Sequence, residues 1–454
     1  MSDTIAAVAT PLSAGGIGVI RISGDDAIEI ADKIIRTTSG RPLSSMKGYT
    51  AAHGRVWFQN EAVDECVALV FRAPKSYTGE NTVEISCHGG VLVTKQVLRA
   101  VLSSGARAAE AGEFTKRAFL SGKMDLSEAE AVMSLIGAQG QEGMKAAYNT
   151  LEGALSKKIN SLCDVLVLAC ANMAAWVDYP DDEIPDLDSG TLKADLLSVK
   201  SGLDSLLSKF DAGKAITDGV ETAIVGKPNV GKSALMNMLS GFNRSIVTDI
   251  AGTTRDIVEQ TVRVGNVVLR LADTAGIRES DDVVESIGVD MAKTRIERAT
   301  LILAVFDGSE SLEESDRQIL ELCRGREVIG IINKTDLPSK TDIEYLKSIL
   351  SKTVFISAKT NEGEEELTKA IEEALGTDKI DTSQAMLTTE RQRRCAEKAI
   401  SAVSEALEAL ESGVTMDAVN VCLEDAIEAL LELTGKKARE AVVDEVFSQF
   451  CVGK

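Results

Sequence analysis

The chain has 454 residues, of which 44% are apolar and 26% charged, and its formal net charge is −21. A chain of this length exceeds a single hydrophobic core and predicts about three domains. The acidic balance repels phosphate backbones on average, so it argues against strong autonomous binding of nucleic acid, although a basic patch or a basic partner could bring RNA close.

No apolar run approaches the roughly 20 residues needed to cross a bilayer, so we expect no membrane partner. Residues 1–4 lack the basic segment that opens a signal peptide, and we expect a cytoplasmic location. The eight cysteines are scattered without paired spacing, which is typical of reduced intracellular thiols. Two histidines are too few for a histidine-rich metal site.

Residues 1–120 have the pattern of an α/β domain. Short β-type segments at 18–22, 67–71 and 82–86 precede a helix predicted over 91–102. Two charged residues, Arg21 and Glu84, lie inside these strands, where an apolar residue is expected on at least one face. From the residues alone, ordinary exposed strand positions are the favoured interpretation.

From about residue 125 the pattern becomes helical. Apolar residues recur at three- and four-residue steps from Leu151 to Val177, which predicts one long amphipathic helix packed against other helices. A proline-containing loop is predicted at 178–186 and a second helix over 191–210.

The segment Gly226-Lys227-Pro228-Asn229-Val230-Gly231-Lys232-Ser233 lies between a predicted strand at 222–225 and a predicted helix. Strand, glycine-containing loop, Lys-Ser and helix are the context of a phosphate-binding P-loop. Lys232 is expected to reach the β- and γ-phosphates, and Ser233 to ligate Mg²⁺.

An alternating strand and helix pattern continues over 216–378, with further strands predicted at 267–271, 301–306, 328–332 and 354–356. Four further motifs follow in order: Gly252-Thr253-Thr254-Arg255-Asp256, Asp273-Thr274-Ala275-Gly276, Asn333-Lys334-Thr335-Asp336 and Ser357-Ala358-Lys359, the last three of them at the ends of predicted strands. Asp336 presents a carboxylate that accepts from both N1–H and the 2-amino group of guanine, donors that adenine lacks there, so the site selects GTP. Thr254 is expected to complete the Mg²⁺ shell and to respond to the γ-phosphate. The residues predicted to contact GTP or its metal are Asn229, Val230, Gly231, Lys232, Ser233, Ala234, Thr248, Asp249, Ile250, Ala251, Gly252, Thr253, Thr254, Asp273, Thr274, Ala275, Gly276, Asn333, Lys334, Asp336, Ser357, Ala358 and Lys359.

Hydrolysis needs a group that orients the attacking water. Ras-like proteins use a glutamine at the position occupied here by Ile277, which cannot hydrogen-bond. Glu285 is the candidate replacement, and a solvated helix carboxylate is a comparable interpretation. Asn229, opposite backbone carbonyls of the loop 246–253, could hold a monovalent cation such as K⁺ near the phosphates.

After Gly376 a polar linker leads into a second helical region, in which one helix ends at Gly435. The two helical stretches are expected to form one bundle, with the nucleotide domain inserted between them. The predicted domains are residues 1–120, 121–215, 216–378 and 379–454.

The whole chain resembles the tRNA modification GTPase family MnmE, also called TrmE. The resemblance rests on the five GTPase motifs together with their flanking sequences. These flanking sequences are Val19-Ile20-Arg21-Ile22-Ser23-Gly24, Tyr77-Thr78-Gly79-Glu80, His88-Gly89-Gly90, Gly112-Glu113-Phe114, Val284-Glu285-Ser286-Ile287-Gly288 and Phe450-Cys451-Val452-Gly453-Lys454.

The resemblance implies a multidomain α/β plus all-α fold: an N-terminal α/β folate-binding and dimerisation domain, a discontinuous helical bundle and an inserted Ras-like P-loop G domain. It implies a homodimer that binds 5-formyl-tetrahydrofolate or a related folate through positions matching Arg21, Glu84, Lys123 and Lys454. It also implies K⁺ ligands at Asn229, Thr248, Ile250 and Thr253, with Glu285 as the water-positioning acid.

With the FAD protein MnmG, in a heterotetramer or larger assembly, the family adds an aminomethyl or carboxymethylaminomethyl group at C5 of the wobble uridine of certain tRNAs. Cys451 matches the cysteine of the family's Cys-Ile-Gly-Lys terminus, where Val452 replaces isoleucine, and both a chemical role and a packed thiol stay open. Contact with tRNA is expected to depend on the partner or on small basic patches such as 391–394.

Three hypotheses follow. The first is a K⁺-activated GTPase that drives folate-dependent tRNA modification. The second is a GTP-dependent ribosome-assembly switch, for which the N-terminal domain is a docking module without a folate site. The third is a scaffold with a vestigial nucleotide site, against which the intact Lys232, Ser233, Asp273 and Asp336 argue.

Overall fold

The computed structural model describes residues 3–178, 189–241, 260–271, 293 and 296–453. The chain divides into two compact units, residues 1–133 with 427–454 and residues 134–426. The strands, in chain order, are β1 (Ile5–Val8), β2 (Ile17–Ser23), β3 (Ile35–Thr37), β4 (Thr50–Phe58), β5 (Glu61–Phe71), β6 (Thr82–His88), β7 (Arg107–Ala108), β8 (Val220–Val225), β9 (Gln260–Val264), β10 (Val267–Leu271), β11 (Leu301–Asp307), β12 (Val328–Asn333) and β13 (Lys352–Phe355).

Helices account for most of the remaining described residues. In chain order they are α1 (Ala27–Ile34), α2 (Val91–Ser103), α3 (Glu113–Leu120), α4 (Leu126–Gly137), α5 (Gln141–Leu151), α6 (Ala154–Asp178), α7 (Ser189–Leu207), α8 (Phe210–Asp218), α9 (Lys232–Gly241), α10 (Glu314–Leu322), α11 (Ile343–Ile349), α12 (Glu364–Ala374), α13 (Glu390–Glu411), α14 (Met416–Thr434) and α15 (Glu440–Ser448). No helix among the described residues is long and apolar enough to cross a membrane.

The first unit is built on a seven-stranded sheet in the order β3-β4-β5-β6-β2-β1-β7. Along β6 the buried Val83, Ile85 and Cys87 alternate with the partly exposed Glu84 and Ser86, as the two-residue period of a strand requires. The buried face packs against α1 and α2 in one apolar core. The predicted strands at 18–22, 67–71 and 82–86 and the helix at 91–102 are confirmed.

Residues 427–448 complete this unit through α15 and its contact with α3. Phe447 and Phe450 pack with Leu126, Ala129 and Val443 in a separate apolar cluster. The prediction that Gly435 ends a helix is confirmed, because α14 stops at Thr434 and Gly435 has a φ of +85°. Only glycine adopts that backbone conformation without strain.

The helical prediction over 151–177 is wrong in one respect. Leu151 ends α5, and α6 begins at Ala154, because Gly153 between them has a φ of +80° that breaks the helix. The helix predicted over 191–210 is confirmed as α7, which ends at Leu207, and a separate helix, α8, begins at Phe210. The predicted loop at 178–186 lies outside the described residues, apart from Asp178, which ends α6.

The helical stretches before and after the nucleotide segment lie against each other in the second unit. Helix α7 packs on both α6 and α13. A Cβ on Gly202 would lie 2.9 Å from Leu162 Cδ2, so α6 and α7 approach closely there. Lys193 on α7 forms a 2.7 Å ion pair with Glu411 on α13. The predicted contact between the two stretches is therefore confirmed.

The same unit contains a six-stranded sheet in the order β13-β12-β11-β8-β10-β9. All neighbours are parallel except the β9–β10 hairpin. Apolar clusters cover both faces of the sheet, which explains why β8, β11 and β12 are buried along nearly their whole length. The strands predicted at 222–225, 267–271, 301–306, 328–332 and 354–356 are confirmed as β8, β10, β11, β12 and β13, and β9 was not predicted.

Candidate functional site

The phosphate loop leaves the carboxyl end of β8 and enters α9 at Lys232. Lys232 Nζ donates to the carbonyl oxygens of Gly226 at 2.8 Å and Lys227 at 2.7 Å, which holds the ammonium group over the loop. Gly231 has a φ of +100°, and a Cβ there would lie 2.2 Å from Asn333 Nδ2. The loop therefore requires glycine at this position for both conformation and space.

Asn333 joins the phosphate loop to the two base-recognition segments, residues 333–336 and 357–359, which are predicted to contact guanine. Its side chain is buried at the end of β12, with 2% of the residue exposed. Nδ2 donates to the Val230 carbonyl at 2.8 Å, and Oδ1 accepts from the Ala358 N–H at 3.0 Å. One amide thus ties together three loops that are distant in sequence.

Asp336 and Ser357 form the second contact between the base-recognition segments. The Ser357 hydroxyl is buried and donates to Asp336 Oδ1 at 2.8 Å, while Asp336 itself is exposed. The hydrogen bond orients this exposed carboxylate, so the acceptor that would recognise guanine is held in place.

Lys334, in the same motif, pairs with the buried Asp307 at the end of β11. Burial raises the pKa of Asp307, but hydrogen bonds from Lys334 and Ser309 outweigh it, so the pKa is lowered and the carboxylate stays charged. Asp307 lies outside the five sequence motifs, but a charged residue that ends a buried apolar strand at the carboxyl edge of a parallel sheet is a recognisable signal for such a site.

The remaining described residues of the predicted GTP site lie around the same edge of the sheet. Asn229 is exposed and has a φ of +63°, Ser233 is exposed in the first turn of α9, and Ala234 packs against the sheet core. Lys359 is exposed after β13. The predicted residues that lie outside the described part of the chain are Thr248, Asp249, Ile250, Ala251, Gly252, Thr253, Thr254, Asp273, Thr274, Ala275, Gly276 and Glu285.

A second polar site occurs in the first unit, on the sheet rather than at a loop. Arg21 on β2 is directly opposite Glu84 on β6, and Arg21 Nε donates to Glu84 Oε1 at 2.9 Å. The Arg21 guanidinium carbon lies 5.3 Å from the ring centre of Tyr77 and 5.6 Å from that of Phe114. Both charged side chains are largely shielded, with 16% and 26% exposed.

Lys123 lies close to the loop that contains Tyr77. A Cβ placed on Gly79 would be 3.6 Å from Lys123 Cε, and Ser121 Oγ donates to the Thr78 carbonyl at 2.7 Å. Arg21, Glu84 and Lys123 are thus gathered around one loop, while Lys454 lies outside the described residues.

The segment 451–453 lies beside β1 in the same unit. Val452 forms a β-bridge with Ala111, and a Cβ on Gly453 would lie 2.2 Å from the Val8 carbonyl oxygen. Val8 pairs with Ile20, the neighbour of Arg21. The described end of the chain therefore approaches β1, the strand that pairs with the Arg21-bearing strand β2. Cys451 is an exposed free thiol.

Three features meet at the carboxyl edge of the parallel sheet: the phosphate loop, the helix that starts with Lys-Ser, and the guanine-recognition motifs. Together they define a P-loop GTP-binding protein. Sequence comparisons specify the family. The model of the MnmE helical domain matches residues 126–451, and that of the GTP-binding protein TrmE N-terminus matches residues 4–123.

Curated relatives match over the full chain. The tRNA modification GTPase MnmE of Geobacillus thermodenitrificans is 41% identical over 458 residues, and that of Acetivibrio thermocellus is 40% identical over 457 residues. Each alignment covers 100% of this chain and 99% of the relative. The chain therefore belongs to the tRNA modification GTPase MnmE family, and it is a GTPase that acts in tRNA modification.

One solved structure, the FeoB G-domain from Methanococcus jannaschii, is 29% identical and covers 35% of this chain and 97% of its own. Its TM-score of 0.27 is too low to support a comparison of folds.

Proposed function

We propose that the protein is a K⁺-activated GTPase that, with the flavoprotein MnmG, modifies C5 of the wobble uridine U34 of certain tRNAs. The group added is carboxymethylaminomethyl or aminomethyl, and a folate supplies the one-carbon unit. The proposal is carried by one observation, that a single chain contains two polar sites. One consists of the nucleotide motifs joined by hydrogen bonds of Asn333, and the other is the shielded Arg21–Glu84 ion pair.

At the nucleotide site, Lys232 binds the β- and γ-phosphates, and the first turn of α9 adds its N–H groups and partial positive charge. Ser233 and Thr254 ligate the Mg²⁺, which neutralises charge developing on the phosphates. Asp336, oriented by Ser357, accepts hydrogen bonds from guanine. The exposed position of Ser233 at the helix start fits this assignment.

Near the phosphates, Asn229 with Thr248, Ile250 and Thr253 holds K⁺. The exposed, left-handed position of Asn229 leaves its amide oxygen available beside the phosphate loop, and carbonyl-type oxygens suit an alkali cation. The ion supplies positive charge where other GTPases use an arginine. Glu285 orients the attacking water.

In the first unit, Arg21 and Lys123, with Lys454, bind the glutamate carboxylates of 5-formyl-tetrahydrofolate or a related folate, and Glu84 binds the pterin. The residues present fit such a group. Among the described residues, the Glu84 carboxylate accepts a hydrogen bond from Nε of Arg21. The aromatic rings of Tyr77 and Phe114 provide an apolar wall beside the guanidinium. The protein forms a homodimer, which joins MnmG in a heterotetramer or larger assembly in the cytoplasm. Cys451 is a candidate for a chemical role.

The first test is GTP hydrolysis by the purified protein in KCl and in NaCl at equal ionic strength. We expect a rate several times higher in KCl, and loss of turnover in Glu285→Ala but not in the matched control Glu314→Ala, which changes an exposed glutamate of α10. Equal rates in the two salts contradict the cation role of Asn229.

The second test separates this proposal from a ribosome-assembly switch. Binding of 5-formyl-tetrahydrofolate is measured by calorimetry for the wild type, Arg21→Ala and Arg55→Ala. Arg55 is a suitable control because it pairs with Glu65 on the same sheet but is 60% exposed. We expect binding that only Arg21→Ala abolishes. Absence of folate binding, with GTP-dependent co-sedimentation with ribosomal subunits, favours the switch.

A further inference from the structure

Lys227 is the second residue of the phosphate loop, and its side chain is directed away from the loop into a group of carboxylates. Its Nζ lies 3.1 Å from Glu310 Oε2, 3.2 Å from Glu313 Oε2 and 3.7 Å from Asp316 Oδ2. Only 9% of the Lys227 side chain is exposed. A lysine this well shielded is held by its ion pairs rather than by solvent.

Two of the carboxylates, Glu313 and Asp316, belong to the start of α10, and Glu310 lies in the segment just before it. Glu313 is the N-cap residue, and its N–H donates to Asp316 Oδ2 at 3.0 Å in a capping box. Asp316 is 2% exposed, and its Oδ1 has no hydrogen-bond partner among the described residues. A buried carboxylate needs a nearby positive charge, and Lys227 supplies it. Burial lowers the pKa of Lys227, but hydrogen bonds to Glu310 and Glu313 outweigh this and raise it, so the charge persists.

The backbone of Lys227 makes a separate contact, with Lys232. Its carbonyl oxygen accepts a hydrogen bond from Lys232 Nζ at 2.7 Å. The side chain of Lys227 therefore anchors to α10 the same peptide that holds the phosphate-binding lysine. Any change that releases the side chain allows this carbonyl, and with it Lys232, to move.

We propose that Lys227 is a positioning residue for Lys232, acting through its own carbonyl and through the ion pairs with Glu310, Glu313 and Asp316. It fixes the lysine that binds the β- and γ-phosphates, so it determines how strongly the site prefers nucleotides that carry a β-phosphate. This inference rests on the proposed phosphate role of Lys232.

The test compares GDP with GMP, which lacks the β-phosphate. Affinities of the full-length protein for both are measured by competition against a fluorescent GDP analogue. The variants are Lys227→Met, Lys227→Arg, Lys232→Ala and the control Lys347→Met, which removes an equally long cation from an exposed position on α11. Thermal unfolding is recorded for each.

We expect Lys227→Met to lower the ratio of GDP affinity to GMP affinity about tenfold, within the roughly hundredfold that a 1 Å misplacement can cost. Lys227→Arg keeps the charge and should stay within about threefold of wild type, and Lys347→Met should not change the ratio. A merely structural role would weaken GDP and GMP equally and leave the ratio unchanged.

A folded Lys227→Met protein with the wild-type ratio overturns the inference. If Lys232→Ala lowers the ratio in the same experiment, the proposed phosphate site still stands; if it does not, that site fails as well. Should Lys227→Met not fold, the double variant Glu310→Gln/Glu313→Gln replaces it, because both carboxylates are more than half exposed. Its ratio should fall about threefold, and an unchanged ratio overturns the inference.

Discussion

Substitution of Asn333 by alanine tests whether one buried amide holds the GTP site together. The change removes the donor to the Val230 carbonyl and the acceptor of the Ala358 N–H. Both partner residues are buried, with 0% and 9% exposed. An unsatisfied buried polar group costs about 1 to 3 kcal/mol, so the two together should cost about 2 to 6 kcal/mol.

The assay is scanning calorimetry of the full-length protein, together with GDP affinity. At about 2 to 4 °C per kcal/mol for a domain of 150 to 250 residues, the nucleotide-domain transition should fall by at least about 4 °C. GDP affinity should fall too, because the phosphate loop is no longer tied to the base-recognition loops. The control is Asn237→Ala, an exposed asparagine on α9. If Asn333→Ala shifts the transition no further than the control does, the two hydrogen bonds of Asn333 do not stabilise the nucleotide domain.

Two further predictions concern the carboxylates at the same sheet edge. Asp336→Asn should weaken GTP binding by at least about a hundredfold, since two charge-assisted hydrogen bonds to guanine are lost at about 1.5 to 3 kcal/mol each. The variant should instead favour xanthosine triphosphate, whose 2-oxygen accepts a hydrogen bond from the new amide. Retained GTP affinity in a fluorescence titration, with Asp342→Asn as control, would count against the role of Asp336 in guanine recognition. Because the pKa of the folded Asp307 is lowered, its stabilisation is present above the usual aspartate pKa and is lost as pH falls through the folded value. Urea unfolding should therefore show the stability difference between wild type and Asp307→Asn shrinking below about pH 4, whereas a constant difference would exclude the ion pair with Lys334 as its cause.

The GTP motifs could be found from the sequence because each depends on local context. Lys232 begins a helix soon after a strand, Asn333 is the last residue of β12, and Ser357 follows the end of β13. Such strand ends meet at one edge of a parallel sheet, so their assembly follows from the alternating pattern itself.

The contacts that connect these motifs were not predictable. The two hydrogen bonds of Asn333 and the carboxylates around Lys227 depend on how loops from different strands converge, which no periodicity encodes. The same limit applies to Arg21, whose polarity inside a strand was visible but whose partner Glu84 is 63 residues away. A pairing of that kind is set by strand register and by the turns between strands.

Gly153 shows a different kind of limit. The spacing of apolar residues continues from Leu151 across Gly153, so the sequence pattern alone favours one helix. The φ of +80° at Gly153 instead separates α5 from α6. A glycine within a helical pattern lowers helix stability only modestly. Whether it bends, breaks or remains helical is decided by tertiary packing.

The division of the first unit between residues 1–133 and 427–454 has a consequence for synthesis on the ribosome. Residues 134–426 must be translated before the second piece emerges, which takes about 15 to 60 s at 5 to 20 residues per second. Until then the apolar surface of Phe119 and Leu126, which Phe447 and Val443 later cover, has no native partner. The second unit, residues 134–426, can complete its own core in that interval. The second unit therefore folds before the first unit, although translation of the first unit begins earlier.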